Sequence, residues 1–320
     1  MWNVIETARY VAQESSLVQF NTRAVDKFCK SLLYKGLNIP PWDSIHHFNE
    51  RSEDAVTYFL ILDSINFCFW PPPGKKRWEI QHNSNRLSGY YAMAVSLKRA
   101  LESGLPINKA GFLANMSLND LIYILSGQGE LQLLEKRLQI LHELGDILLK
   151  EYEGKAHRLI ESAGKSAIKL VNVLLEKMPS FRDIAQYKGK TIYFFKRAQI
   201  LAADLNGFFA GRSWGTFNDM EKLTAFADYK LPQVLRHLGI LCYSEPLSEK
   251  VDKRVMLESG SPEEVEIRAN TIWAVEQIKK NLFLLGKEVN SYAIDWLLWN
   301  LGQDDSFRKK PYHLTASIYY

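Results

Sequence analysis

Glu53 to Trp70 reads EDAVTYFLILDSINFCFW, and the fold class turns on how this run is read. Its β-branched residues permit a strand. Its length and the lack of apolar–polar alternation favour a buried helix, which Pro71-Pro72-Pro73 would stop. Asp63 and Asn66 lie three apart within it, so a helix puts both polar groups on one face. A buried carboxylate is costly unless paired, and Asp63 therefore asks for a partner.

The flanking stretches carry helical periodicity too. Residues 1–38 read as two helices interrupted at Asn21-Thr22-Arg23 and closed by Ile39-Pro40-Pro41. Gly89 to Leu101 is a helix with Gly104 and Pro106 beyond it. Ser117-Leu118-Asn119-Asp120 caps another at Leu121 to Leu125. Leu131 to Lys150 is the strongest amphipathic helix, with Leu134, Leu138, Leu141 and Leu148 at helical spacing. A further helix is predicted over Ala156 to Lys177, then Asp183 to Tyr187, Phe194 to Leu205, Glu263 to Leu285 and Ser291 to Leu301. Residues 74–82 and 243–258 admit a short strand or hairpin. The expected class is all-α, with one or two short β-hairpins.

The chain has 320 residues, 47% of them hydrophobic, which allows a full core. That length is large for one domain and small for two, and fits a single domain over 1–320 with two helical lobes and the pocket between them. The formal net charge of +4 is spread along the sequence, without a basic tract of the kind a DNA-scale surface needs. Cys29, Cys68 and Cys242 lack CxxC spacing and read as buried reduced thiols, which points to the cytosol. No apolar run approaches the roughly 20 residues of a membrane span, and MWNVIETARYVAQES has no signal-peptide architecture.

Several constellations invite chemistry. In LTAFADYKLPQVLRHLGIL (223–241), Pro232 suits the start of a helix reaching Leu238, with Gly239 after it. Ahead of it, Phe226-Ala227-Asp228-Tyr229 sets one carboxylate between two aromatics. Asp228 is either a helix cap or an acid held beside a planar ring. Asp295 stands in the apolar, aromatic segment 290–302, four residues before Trp299; it either pairs with an arginine such as Arg268 or faces a pocket. Asp63, Asp228 and Asp295 together suggest a pocket for something cationic or donor-rich, or one that stabilises developing positive charge. Lys196 and Arg197 open a helix whose dipole they oppose; they form a solvated face or meet a phosphate. Gly164-Lys165-Ser166 matches the end of a phosphate-binding loop, but Leu159 stands where that loop needs glycine. His46-His47 and the scattered remaining histidines lack metal-ligand spacing, so no metal site is expected.

LDSINFCFW (62–70), FKRAQILAADL (195–205), LTAFADYKLPQVLRHLGIL (223–241), EVEIRANTIWAVE (264–276) and NSYAIDWLLWNLG (290–302) occur in an order that resembles the queuosine salvage protein family, the queuosine 5′-phosphate N-glycosidases. The resemblance covers nearly the whole chain. It implies an all-α fold loosely related to helix-hairpin-helix DNA glycosylases. It also implies hydrolytic release of queuine, a 7-deazaguanine base, from queuosine 5′-monophosphate, with water as co-substrate, no cofactor and no direct nucleic-acid or membrane partner. On this resemblance Asp228 matches the acid at the sugar, as nucleophile, as base for water or as an electrostatic group. Phe226 matches an aromatic that would stack on the base. Asp295, Trp296 and Asn300 match the C-terminal pocket motif, where acids suit the amine and diol of the queuine side chain. His46, or its neighbour His47, matches the pocket histidine. Asp63 and Asn66 would face or support the base. Lys196 would contact the phosphate, with Arg197 next. The rival readings are a nucleic-acid-binding helical protein or base-excision glycosylase, and a queuine-binding module without catalysis.

Overall fold

A computed structural model describes residues 3–320; Met1 and Trp2, which the predicted first helix includes, lie outside the described residues. The first half of the chain holds α1 (Val4–Glu14), α2 (Thr22–Tyr34), α3 (Glu53–Ser64), α4 (Gly89–Glu102), α5 (Ala110–Ala114), α6 (Leu118–Ile124) and α7 (Leu134–Glu151). The second half holds α8 (Ala156–Ser162), α9 (Ala167–Lys177), α10 (Lys196–Phe208), α11 (Lys230–His237), α12 (Glu245–Asp252), α13 (Pro262–Leu284) and α14 (Ser291–Leu301). The mainly helical class is as expected from periodicity.

The strands form three antiparallel pairs. β1 (Val18–Phe20) pairs with β6 (Leu241–Tyr243), β2 (Glu79–His82) with β3 (Asn85–Ser88), and β4 (Ile184–Tyr187) with β5 (Lys190–Tyr193). The two hairpins turn through Asn83-Ser84 and Lys188-Gly189, all at positive φ, the geometry whose twist matches paired strands. The helix predicted over Asp183 to Tyr187 is thus a strand, set by a two-residue turn and not by helical period. β1 lies at the end of the predicted first helix, just ahead of the interruption at Asn21-Thr22-Arg23, and 245–252 is helical where a strand is admitted.

The opening stretch ends differently from its reading. α3 stops at Ser64, before the prolines, and 65–70 continues as buried irregular chain. Three buried cations take the carbonyls a longer helix would have used. Arg137 donates to the carbonyls of Ile65, Phe67 and Cys68, Arg197 to that of Ser64, and Lys196 Nζ to that of Asn66 at 3.1 Å. Positive charge at a helix C-terminus complements the dipole. Asp63 and Asn66 consequently do not share a helical face. The conflict at the start of α10 resolves the same way: Lys196 and Arg197 oppose their own helix while capping another, and neither is a solvated face.

Two further corrections follow from local chemistry. The helix predicted over Ala156 to Lys177 is broken, because Gly164 and Lys165 take positive φ and Ser166 caps α9 through Lys169 N. Cys242 is exposed, whereas Cys29 and Cys68 are buried, and all three thiols are free.

Buried apolar side chains gather in two clusters. One unites α3, α4, α7, α9 and α10; the other unites α1, α2, α11, α13 and α14.

Candidate active site

A cavity of about 790 Å³ opens where residues of both clusters meet. That falls within the ~300–1,000 Å³ of small-molecule sites. Tyr90 and Tyr91 reach it from α4, Lys196 and Asp204 from α10, Phe226 and Asp228 from the segment before α11, and Asp295, Trp296 and Trp299 from α14.

The segment carrying Phe226 and Asp228 is irregular, and three helices pin it. Thr224 N donates to Gln199 Oε1 at 2.8 Å, and Gln199 Nε2 donates to Thr224 Oγ1 at 3.0 Å. Phe226 N donates to Asp295 Oδ2 at 2.7 Å. Arg268 Nε donates to Ala227 O at 3.1 Å, and the same guanidinium is held by both oxygens of Asp183 at 2.8 and 2.6 Å. Arg268 therefore pairs with Asp183 and Glu264, not with Asp295. Buried polar contacts from α10, α13 and α14 thus fix the positions of Phe226 and Asp228.

Asp228 satisfies both readings at once. Its Oδ1 accepts from Lys230 N at 2.7 Å and from Leu231 N at 2.9 Å, capping α11, which begins two residues before Pro232. Among the described residues nothing donates to Oδ2, and the side chain lines the cavity. One oxygen anchors the group at the positive end of a helix; the other is available to a ligand.

Burial acts strongly on the other acids. Burial, then the charge of Asp228, pushes the Asp295 carboxyl well above the usual range. Burial, then Asp204, does the same to Asp63, against the pull of Lys196, Asn66 and Arg197. Burial pushes Asp204 up to about 7, against the hydrogen bond that Tyr90 Oη donates to it at 2.9 Å and the charge of Lys196. Burial lowers Lys196, while Asp228, Asp63 and Asp295 hold it up. One buried ammonium thus stands among four carboxyl groups, three of which burial drives toward the neutral acid.

The aromatic wall is ordered. Trp296 and Trp299 stack at 5.5 Å with 7° between planes, and Trp296 Nε1 donates to Pro40 O at 2.9 Å. Tyr90 and Tyr91 meet Trp299 edge-on at 5.9 and 5.4 Å. Behind them, the His46 ring lies 4.3 Å from that of Tyr91, and its Nδ1 donates to Asp43 Oδ2 at 2.6 Å. His47 stacks on Trp42 at 4.8 Å, and burial pushes it down to about 4.

Of the residues singled out in the sequence, Asn66, Lys196, Phe226, Asp228, Asp295 and Trp296 line the cavity together. Four do not. Asp63 is sealed beneath the wall, Arg197 turns to the carbonyls of Ser64 and Ser180, His46 backs Tyr91, and Asn300 Nδ2 donates to Trp296 O at 2.8 Å within its own helix. The cavity wall also holds Asp204, Tyr90 and Tyr91, which the sequence does not single out. Asp204 carries the same signal as Asp63, an acid inside an apolar helix; the tyrosines carry none that separates them from core.

The description Queuosine salvage protein belongs to a protein-family model that matches residues 46–320. A Sphaerobacter thermophilus protein named Queuosine 5′-phosphate N-glycosylase/hydrolase is 43% identical over 317 residues, covering 99% of this chain and 97% of the relative. Proteins of the same name from Bos taurus and Schizosaccharomyces pombe are 37% and 32% identical, over 98% and 95% of this chain and 98% and 92% of their own lengths. Identity sustained from end to end with bacterial, mammalian and yeast relatives, together with the matched span, means that this chain belongs to the queuosine salvage protein family.

Proposed function

We propose that the protein hydrolyses the N-glycosidic bond of queuosine 5′-monophosphate and frees queuine for reuse in tRNA modification. Asp228 carries this reading: a carboxylate fixed through one oxygen and open through the other, in an aromatic-walled cavity of nucleotide size. As the bond between C1′ and the base nitrogen breaks, positive charge develops on the ribose, and a preorganised carboxylate beside it stabilises that charge. Water supplies hydroxide to C1′ and a proton to the departing base. Phe226 and the Trp296–Trp299 stack offer flat faces to the base. Asp295, which burial drives toward the neutral acid, and Asp204, lifted to about 7, can in their protonated forms donate hydrogen bonds to it as well as accept them. Asn66 and Asp63 support this floor, His46 and Asn300 brace Tyr91 and Trp296, and no cofactor is called for.

In the same reading 1–320 is one domain whose two helical lobes close on the nucleotide, with a loose relation to helix-hairpin-helix DNA glycosylases. The free thiols favour the cytosol. A separate fact is that no helix among the described residues is long and apolar enough to cross a membrane. Incubation with queuosine 5′-monophosphate, followed by chromatography, tests the activity. Stoichiometric queuine and ribose 5-phosphate are expected. Intact nucleotide recovered after incubation with micromolar protein would leave only a binding module.

A further inference from the structure

Asp183 and Arg268 are buried behind the cavity wall and do not line it. Asp183 joins two parts of the chain. Its Oδ1 and Oδ2 accept from the two terminal nitrogens of Arg268 at 2.8 and 2.6 Å, and Oδ2 also accepts from Lys196 N at 3.3 Å. Its carbonyl accepts from Phe194 N at 3.1 Å and so closes the base of the β4–β5 hairpin. Phe195, which stands at the N-cap of α10 with φ 52°, has no side-chain oxygen to offer the helix. Asp183, 13 residues before Lys196, supplies the carboxylate that this helix start favours.

Arg268 carries the connection onward. Its Nε donates to Ala227 O at 3.1 Å, one residue before Asp228. The rings of Phe194 and Tyr320 lie 3.9 and 4.3 Å from the guanidinium carbon and hold the plane of the fork. One path of directed bonds therefore runs from Lys196 N through Asp183 and Arg268 to Ala227 O. At one end, α10 sends Lys196 and Asp204 into the cavity; at the other stands Asp228. A buried ion pair returns in attraction roughly what its desolvation costs, so stability alone does not account for it. What a bidentate fork adds is fixed geometry.

We infer that Asp183 and Arg268 are positioning residues, which set the spacing between Asp228 and the α10 wall of the cavity and thereby the placement of the Asp228 carboxylate against the sugar. The inference rests on the function proposed above. A pair that only held the fold together would change the melting temperature and leave the rate of the folded enzyme alone. A positioning pair changes kcat and leaves KM.

The test is kcat and KM for queuosine 5′-monophosphate, with the melting temperature measured alongside, in wild type, Arg268→Lys and Asp183→Glu. Both variants keep the buried charges balanced. A lysine ammonium retains Asp183 but lacks the fork that also reaches Ala227 O, and a glutamate pushes the fork outward by one methylene. In each, kcat is expected to fall about 10- to 100-fold with KM within about threefold of wild type, the penalty of a misplacement of about 1 Å. If neither folds, Phe194→Leu decides, since it loosens the plane of the guanidinium and touches no charge; its kcat is expected to fall about 3- to 10-fold. An unchanged kcat in a folded variant, or a loss carried by KM alone, overturns the inference. Absence of queuine release by wild type overturns the proposed function instead.

Discussion

At the scale of the residue, the site is a contest between burial and charge. Asp204 shows it best: burial lifts its carboxyl to about 7 while Tyr90 and Lys196 pull it down. An acid raised in the folded state adds stability that is complete below the unfolded value near 3.8 and is lost as pH rises through about 7. The melting temperature should therefore fall between pH 5 and pH 8 partly because of this group. Asp204→Asn keeps an oxygen for the Tyr90 hydroxyl and removes the titration. Its Tm relative to wild type should rise by about 2 °C or more from pH 5 to pH 8; a constant difference would mean that Asp204 does not titrate there. The same balance explains what the sequence disclosed at this scale. Asp63, Asp228 and Asp295 stand out as acids in apolar company. Their division into a sealed acid, a helix cap and a wall acid that burial drives toward its neutral form depends on neighbours from three helices, which spacing along the chain does not give.

At the scale of the element, helix ends decide the geometry. Arg197 caps α3 and packs over Phe181 with 4.7 Å between its guanidinium carbon and the ring centroid. Arg197→Met should leave the Ser64 and Ser180 carbonyls unsatisfied and cost about 2–4 kcal/mol in urea unfolding. The nucleotide-to-nucleoside rate ratio should not move; a selective loss on the nucleotide would return Arg197 to the phosphate. Gly207 on α10 leaves room for Trp42, and a Cβ there would come 2.5 Å from Trp42 Cε3. Gly207→Ala should thus displace a cavity wall, lowering kcat/KM about 10- to 100-fold with little change in Tm; unaltered kinetics would remove Trp42 from the site. Periodicity reveals most of these helices but not their ends. α3 stops short of its proline signal because Arg137, Lys196 and Arg197, distant in sequence, take the carbonyls of Ser64, Ile65 and Asn66.

At the scale of the whole molecule, two apolar clusters, each knit from separated helices, meet along a cavity whose aromatics, acids and cations come from every third of the chain. Separated motifs in a fixed order announce such a site in the sequence because each supplies one wall; the relative placement of the walls emerges only with the fold. In the proposed function the charge on Asp228 drives glycosidic cleavage. Asp228→Asn isolates that charge, because the amide oxygen still caps α11 through Lys230 N and Leu231 N. Queuine release from queuosine 5′-monophosphate should fall by about three orders of magnitude, as when a group stabilising transition-state charge is removed, with Tm unchanged. Release within a few-fold of wild type would contradict the claim.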